Sequence, residues 1–356
     1  MKLSQCDLYK KEIEIAANAK LPWNKLTDKS IAISGATGMI GSFLVDVLMY
    51  RNMNYNQRTA VRAIGRSKER LDARFDAFLT HSAYRSVEWD INEPCDMSQW
   101  SENVDYLIHG ASATHPVAYA SDPIGTISAN VIGTDHMLKL AAQKNCERFV
   151  FLSTVEVYGE NKGDTDKFSE DYLGYIDCNT LRAGYPESKR TGEALCQAYR
   201  KQKGLSVVIP RLSRVYGPTM LMSDTKALSQ FILKGVAGED IVLKSEGTQL
   251  FSYSYVADAV VAILKIMLDG EDGEAYNIVS KDSDVQLREV ASNIANYVGK
   301  EVIFELPDAT ERAGYSKATK ATLDDTKLKE LGFESMYDIK SGLMRTIDIL
   351  RESKEA

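Results

Sequence analysis

The chain has 356 residues, 44% of them hydrophobic, enough for a large core and a smaller second lobe. A formal net charge of -7 leaves no broad basic surface to track a phosphate backbone, so no nucleic-acid partner is expected and any anionic substrate must be caught locally. The cysteines (Cys6, Cys95, Cys146, Cys178, Cys196) form no CxxC pair and are odd in number, and no run of roughly 18 apolar residues or signal-peptide core occurs, which predicts a cytoplasmic protein without disulfides or a membrane span.

Residues 1–28 read as an N-terminal helical extension, mostly polar. Ser30 to Ser34 then reads as a buried strand, GATGMIG as a turn, and Phe43 to Tyr50 as the apolar face of a helix. Further strands are predicted at Ala60 to Ile64, Val87 to Trp89, Val104 to His109, Arg148 to Ser153 and Leu205 to Leu212, separated by helical stretches. This alternation predicts an α/β fold with a doubly wound parallel sheet over 29–216. From 217 to 356 the elements shorten into a substrate-binding cap, interleaved with the sheet domain through a helix from Val256 to Leu268 and a strand from Ala275 to Val279. The segment Glu160 to Arg182 is long for a connection and is expected to border a cleft.

Gly35, Gly38 and Gly41 lie between strand and helix, where backbone amides, with those of Thr37, Met39 and Ile40, can approach a pyrophosphate. At the end of the second strand, where a carboxylate would hold the ribose hydroxyls of NAD, stands Gly65, followed by Arg66, a cation suited to an extra 2'-phosphate; NADP(H) is therefore favoured over NAD(H). Asp90 and Ile91 are positioned to flank the adenine, and Ala111, Ser112 and Leu212 to line the dinucleotide crevice. Tyr185 and Lys189 fall on one face of a helix begun by Pro186, so an ammonium can favour the phenolate of a tyrosine acid/base. Thr154, at the carboxyl end of a strand, supplies a hydroxyl for the reacting oxygen. The histidines His81, His109, His115 and His136 lack metal-like spacing, so no metal is expected.

Together GATGMIG, HGAS, STVEVYG, YPESK and RVYGP resemble the extended short-chain dehydrogenases/reductases that modify nucleotide sugars, over about Lys29 to Leu350. The resemblance implies a Rossmann-type fold, a nucleotide-activated sugar as substrate, Tyr185 as acid/base, Lys189 as its activator, Thr154 as the substrate-orienting hydroxyl, and a homodimer formed through the helices that begin at Asp122 and Pro186. HPVAYASDPIGTISANVIGT, STVEVYGE and RAGYPESKR are most similar to UDP-glucuronate decarboxylases, with Glu156 and Arg182 matching residues of that group. Val155-Glu156 stands where sugar 4,6-dehydratases carry Asp-Glu. Two departures mark the substrate side: Phe251 occupies the place of an arginine, and Arg214 that of an asparagine. His115, Glu156, Arg182, Arg214 and Tyr253 are the candidate substrate contacts, with Glu156 also a candidate catalytic base. With NADP(H), these features lead to the expectation of a reductase of a nucleotide-linked keto sugar, for example a CDP-ketose giving a CDP-polyol. An NAD-dependent epimerase or decarboxylase that recycles its cofactor, and a non-catalytic dinucleotide sensor, are the alternatives.

Overall fold

The computed structural model describes residues 2–112, 114, 121–305 and 319–355. Its centre is a parallel sheet of β1 (Ser30–Ser34), β2 (Ala60–Gly65), β3 (Tyr84–Glu88), β4 (Tyr106–His109), β5 (Arg148–Phe151), β7 (Val207–Leu212) and β11 (Ala275–Ile278), in the order β3-β2-β1-β4-β5-β7-β11. A short β6 (Ser153–Thr154) continues β5 after a break at Leu152 and pairs with β7. Every residue of β1 is buried, as expected of a strand covered on both faces. The chain runs outward from β1 to β2 and β3, then returns to the other side of β1 as β4, so the switch point of the sheet lies between the carboxyl ends of β1 and β4.

The helices around the sheet include α1 (Asp7–Ala17), α2 (Met39–Tyr55), α3 (Lys68–Arg74), α4 (Pro123–Gln143) and α5 (Gly184–Lys203), with α4 and α5 packed on each other. The N-terminal helix is less polar in effect than its composition suggests. Tyr9, Ile13, Ala16 and Ala17 form a buried stripe, and Glu12, fully buried, meets Arg345 Nε at 2.9 Å. The extension is thus fastened to the C-terminal helix rather than standing apart.

Beyond Gly217 come α6 (Ala227–Ala237), β9 (Ile241–Leu243), β10 (Leu250–Tyr255), α7 (Val256–Asp269), β12 (Asp284–Gln286), α8 (Leu287–Val298), β13 (Val302–Phe304), β14 (Lys320–Ala321), α9 (Thr326–Glu330) and α10 (Ile339–Glu355). Strand β10 is central to the second lobe: it pairs with β12, with β14 and with β8 (Arg214–Tyr216), which follows β7 directly. The β8–β10 register sets Arg214 opposite Tyr253. This pairing ties the lobe to the carboxyl edge of the sheet, where ligands of open α/β folds bind. Among the described residues no helix is long and apolar enough to cross a membrane.

Candidate active site

The turn after β1 is shaped by contacts that exclude side chains. Gly35 has φ +71°, and a Cβ there would lie 2.8 Å from the Ala111 nitrogen, so the turn lies directly against the segment leaving β4. That segment is held by Ser34, whose Oγ accepts the Gly110 and Ala111 amides at 3.2 and 3.3 Å. Gly38 is the N-cap of α2 and offers no side chain as a cap, leaving the first-turn amides of Met39, Ile40 and Gly41 without intrahelical acceptors. A glycine cradle at a helix N-terminus fits the pyrophosphate of a dinucleotide. The backbone carbonyl of Met39 accepts the Thr219 hydroxyl at 2.8 Å, which fastens the second lobe to this turn.

Ser34 also starts a chain of buried groups. Thr134 Oγ1 donates to the Asn130 carbonyl at 2.6 Å, so it accepts from His109 Nε2 at 3.0 Å, and His109 Nδ1 accepts from the Ser34 hydroxyl at 2.7 Å. Burial, aided by the nearby Lys189 charge, lowers the His109 pKa to about 3 from its ordinary 6.5. Below pH 6.5 the unfolded chain therefore takes up a proton that the folded chain refuses, and stability declines as pH falls from 6.5 toward about 3. The expected slope reaches about 1.4 kcal/mol per pH unit. Urea unfolding across pH 4 to 7 (an illustrative ~3-unit window) checks this; a His109→Gln variant with the same slope as the wild type would remove the histidine from the account.

Tyr185 and Lys189 stand on α5, both almost wholly buried. Lys189 Nζ donates to the Leu152 carbonyl at 2.9 Å and lies 4.7 Å from the centre of the Phe151 ring; burial brings its pKa down to about 8. The break between β5 and β6 thus leaves the carbonyl that orients the lysine. Burial and the charge of Glu156 push the Tyr185 phenol above its ordinary range, while a hydrogen bond with Thr154 acts the other way. Thr154 Oγ1 also accepts the Glu156 amide at 3.3 Å, turning the chain so that Glu156 follows the two hydroxyls. Glu156 Oε2 is 3.7 Å from Arg182 Nη2. Arg214 also feels the Glu156 charge; its guanidinium carbon lies 3.5 Å from the centre of the Phe251 ring, and Tyr253 is buried nearby.

Arg66, Asp90 and Ile91, further dinucleotide candidates, gather with Gly65 at the carboxyl ends of β2 and β3. The Trp89 amide donates to the Gly65 carbonyl at 2.9 Å, which brings Asp90 and Ile91 beside Gly65 and Arg66. Arg66 is exposed, with no side-chain partner among the described residues. Asp90 Oδ1 accepts the Asn92 amide at 3.0 Å, and Ile91 is buried against α4 at Gly133. Ala111 and Ser112 follow the Ser34-bound turn, and Leu212 lies in register with Thr154. His115 lies outside the described residues.

The model of the NAD dependent epimerase/dehydratase family matches residues 31–279. The chain belongs to this family. UDP-glucuronic acid decarboxylase 5 of Arabidopsis thaliana is 31% identical over 88% of the chain and 86% of the relative, and UDP-glucuronic acid decarboxylase 1 of Xenopus tropicalis is 30% identical over 92% and 73%. A UDP-glucuronic acid 4-epimerase from Bacillus cereus, solved with UDP-glucuronic acid and NAD, shares the fold with a TM-score of 0.76 at 22% identity, covering 92% of this chain and all of that one (100%). The cofactor class is a nicotinamide dinucleotide.

Within this family member, several groups that bear on the site lie outside the sequence motifs. Asn130 Nδ2 donates to Ser188 Oγ at 2.9 Å, and Ser188 Oγ donates to the Tyr185 carbonyl at 2.9 Å, so α4 braces the first turn of α5. Ser153 Oγ donates to Glu193 at 2.5 Å, and Glu193 forms a shielded pair with Arg211 at 2.7 Å. The sequence signal for Asn130 is an amide set among small and apolar residues of a helix; Glu193 repeats the Tyr185–Lys189 spacing once more along α5. A cavity of about 370 Å³ opens beyond Glu193 and Arg211, but Thr154, Tyr185 and Lys189 do not line it, so its size is no guide to the reacting centre.

Proposed function

We propose that the chain converts a UDP-linked uronic acid, oxidising the sugar's C4 hydroxyl and re-reducing the product at one site, as a decarboxylase. The observation that carries this reading is a hydroxyl pair, Thr154 and Tyr185, joined through Glu156 to two arginines, Arg182 and Arg214. Sequence likeness to decarboxylases of UDP-glucuronic acid supports it. A nicotinamide dinucleotide, when bound, would supply the hydride acceptor for the alcohol and the donor for the reduction. The glycine turn and the first turn of α2 would hold its pyrophosphate, with Lys189 at its ribose.

Tyr185 takes the C4 hydroxyl proton and later gives one back, while Thr154 hydrogen-bonds the same oxygen. A ketone at C4 leaves the sugar a β-keto acid. The bond from C5 to the carboxyl carbon breaks, carbon dioxide leaves, and the electron pair moves onto the C4 oxygen, where Thr154 and Tyr185 can stabilise it. Protonation at C5 restores the ketone before reduction. Incubation with UDP-glucuronate and catalytic NAD is expected to release carbon dioxide and a UDP-pentose without net NADH. NADH accumulating in step with substrate loss, or intact substrate, would overturn the reading.

Arg66 favours a second reading, net reduction of a nucleotide-linked keto sugar by NADPH, because an exposed guanidinium at the end of β2 suits a 2'-phosphate. Titrating stripped protein with NAD and NADPH separates the two. For the dimer, Ile124 on α4 and Leu181 in the 3-10 turn just before α5, 77% and 66% exposed, are the apolar contacts; sedimentation of an Ile124→Glu variant as a monomer, against a wild-type dimer, is the expected result.

A further inference from the structure

Arg214 is held in an unusual state for a guanidinium. It belongs to β8, the strand that bridges the sheet and the second lobe, and is partly buried as a residue, but its Nη1 is wholly buried with no hydrogen-bond partner among the described residues. Its guanidinium carbon lies 3.5 Å from the centre of the Phe251 ring, a cation–π contact that takes up one face of the group. Burial opposes its charge, Glu156 and Tyr253 favour it, and Arg182 opposes it again. Glu156 already faces Arg182, at 3.7 Å, so one carboxylate serves two guanidinium groups. A buried cation with an unmade hydrogen bond is costly unless something arrives to pair with it.

Its position indicates what arrives. The Glu156 charge reaches both Arg214 and Tyr185, and its amide is held by the Thr154 hydroxyl at 3.3 Å, so the guanidinium and the proton-transfer group flank the same short turn. Arg214 is therefore near the reacting end of the substrate, and a stacked guanidinium with an unmade N–H bond matches a planar pair of anionic oxygens. We propose that Arg214 is the anchor for an anionic oxygen pair on the substrate, with the sugar carboxylate favoured over the diphosphate by nearness to Tyr185. This proposal rests on the nucleotide-sugar reading above.

The test is calorimetric binding of UDP-glucuronate, UDP-glucose and UDP to the full chain and to its Arg214→Met variant, which keeps an apolar side chain over Phe251 without charge or donors. The expected result is a loss of about tenfold or more for UDP-glucuronate, with UDP-glucose and UDP within about twofold of wild type. An equal loss for all three ligands supports the anchor and assigns it to the diphosphate. Unchanged affinity for all three overturns it while the nucleotide-sugar reading stands; a wild-type chain that binds none of them overturns both. Thermal unfolding adds a readout that tells an anchor from a structural cation. Removing an unpaired buried charge is expected to raise the Tm of the ligand-free protein by about 2 to 4 °C, whereas a lower Tm would mean that Arg214 serves the fold and would count against the proposal.

Discussion

Replacing Tyr185 with Phe is expected to lower kcat by about 10² to 10⁴-fold while leaving dinucleotide affinity within about twofold. The substitution removes one oxygen from a buried ring on α5, and that oxygen is the group that hydrogen-bonds with Thr154. On the proposed mechanism a proton passes between the sugar and the protein at every oxidation and every reduction, and Tyr185 is the ionisable group that the structure joins to the Thr154 hydroxyl. The direction of the Tyr185 shift makes a second, independent check. Its pKa is held up first by burial and then by the Glu156 charge, so Glu156→Gln removes a negative neighbour and lets the phenolate form more readily. The limb of the kcat/KM profile that needs tyrosinate should move to lower pH in Glu156→Gln and vanish in Tyr185→Phe. Near-normal turnover by Tyr185→Phe, or a profile unmoved by Glu156→Gln, would take proton transfer away from this tyrosine.

What the sequence makes legible here follows the physics of burial. Strands covered on both faces must be apolar throughout, so β1 and β2 stand out, and the glycine turn and the Tyr185–Lys189 spacing are local patterns. Boundaries are less legible where strand and turn share residues. The predicted strand Arg148 to Ser153 is divided at Leu152, whose carbonyl turns to Lys189, a contact that depends on a helix later in the chain. The third strand begins earlier than expected, at Tyr84, because Tyr84 packs on Phe75 and Phe78 from the preceding helical segment rather than following a local apolar run. The stacking of Arg214 on Phe251 is of the same kind. Each residue alone stands as a departure from the family pattern, and the two meet because β8 lies beside β10, Arg214 opposite Tyr253 and thus diagonal to Phe251. The sequence also reveals nothing of the Ser34–His109–Thr134 chain, because its members meet through the pairing of β1 with β4 and the packing of α4 beneath them.

The glycine cradle yields the second large effect. A Cβ at Gly41 would lie 2.3 Å from the Gly35 carbonyl oxygen and 2.9 Å from the Ala36 Cα, both backbone atoms of a turn that is itself pressed against Gly110 and Ala111. No side chain can rotate away to admit it, so Gly41→Ala must push α2 off the turn, at a cost of about 1 to 3 kcal/mol in stability. The same movement withdraws the first-turn amides of Met39 and Ile40 from the pyrophosphate position, and NAD affinity is expected to fall by about tenfold or more. Gly38→Ala is the control. Its Cβ would stand 3.2 Å from the same oxygen, a contact that a few tenths of an ångström relieve, and neither position has positive φ, so neither variant is strained by a left-handed backbone. Calorimetric titration with NAD and urea unfolding of the two variants therefore compare a severe close approach with a mild one, and helix preference, which favours Ala inside α2 over Ala at its cap, works against the expected order. A large loss in Gly41→Ala beside a small one in Gly38→Ala assigns the cradle to packing of helix on turn, and equal losses would assign it to the amides themselves, since both substitutions would then act without regard to the space available.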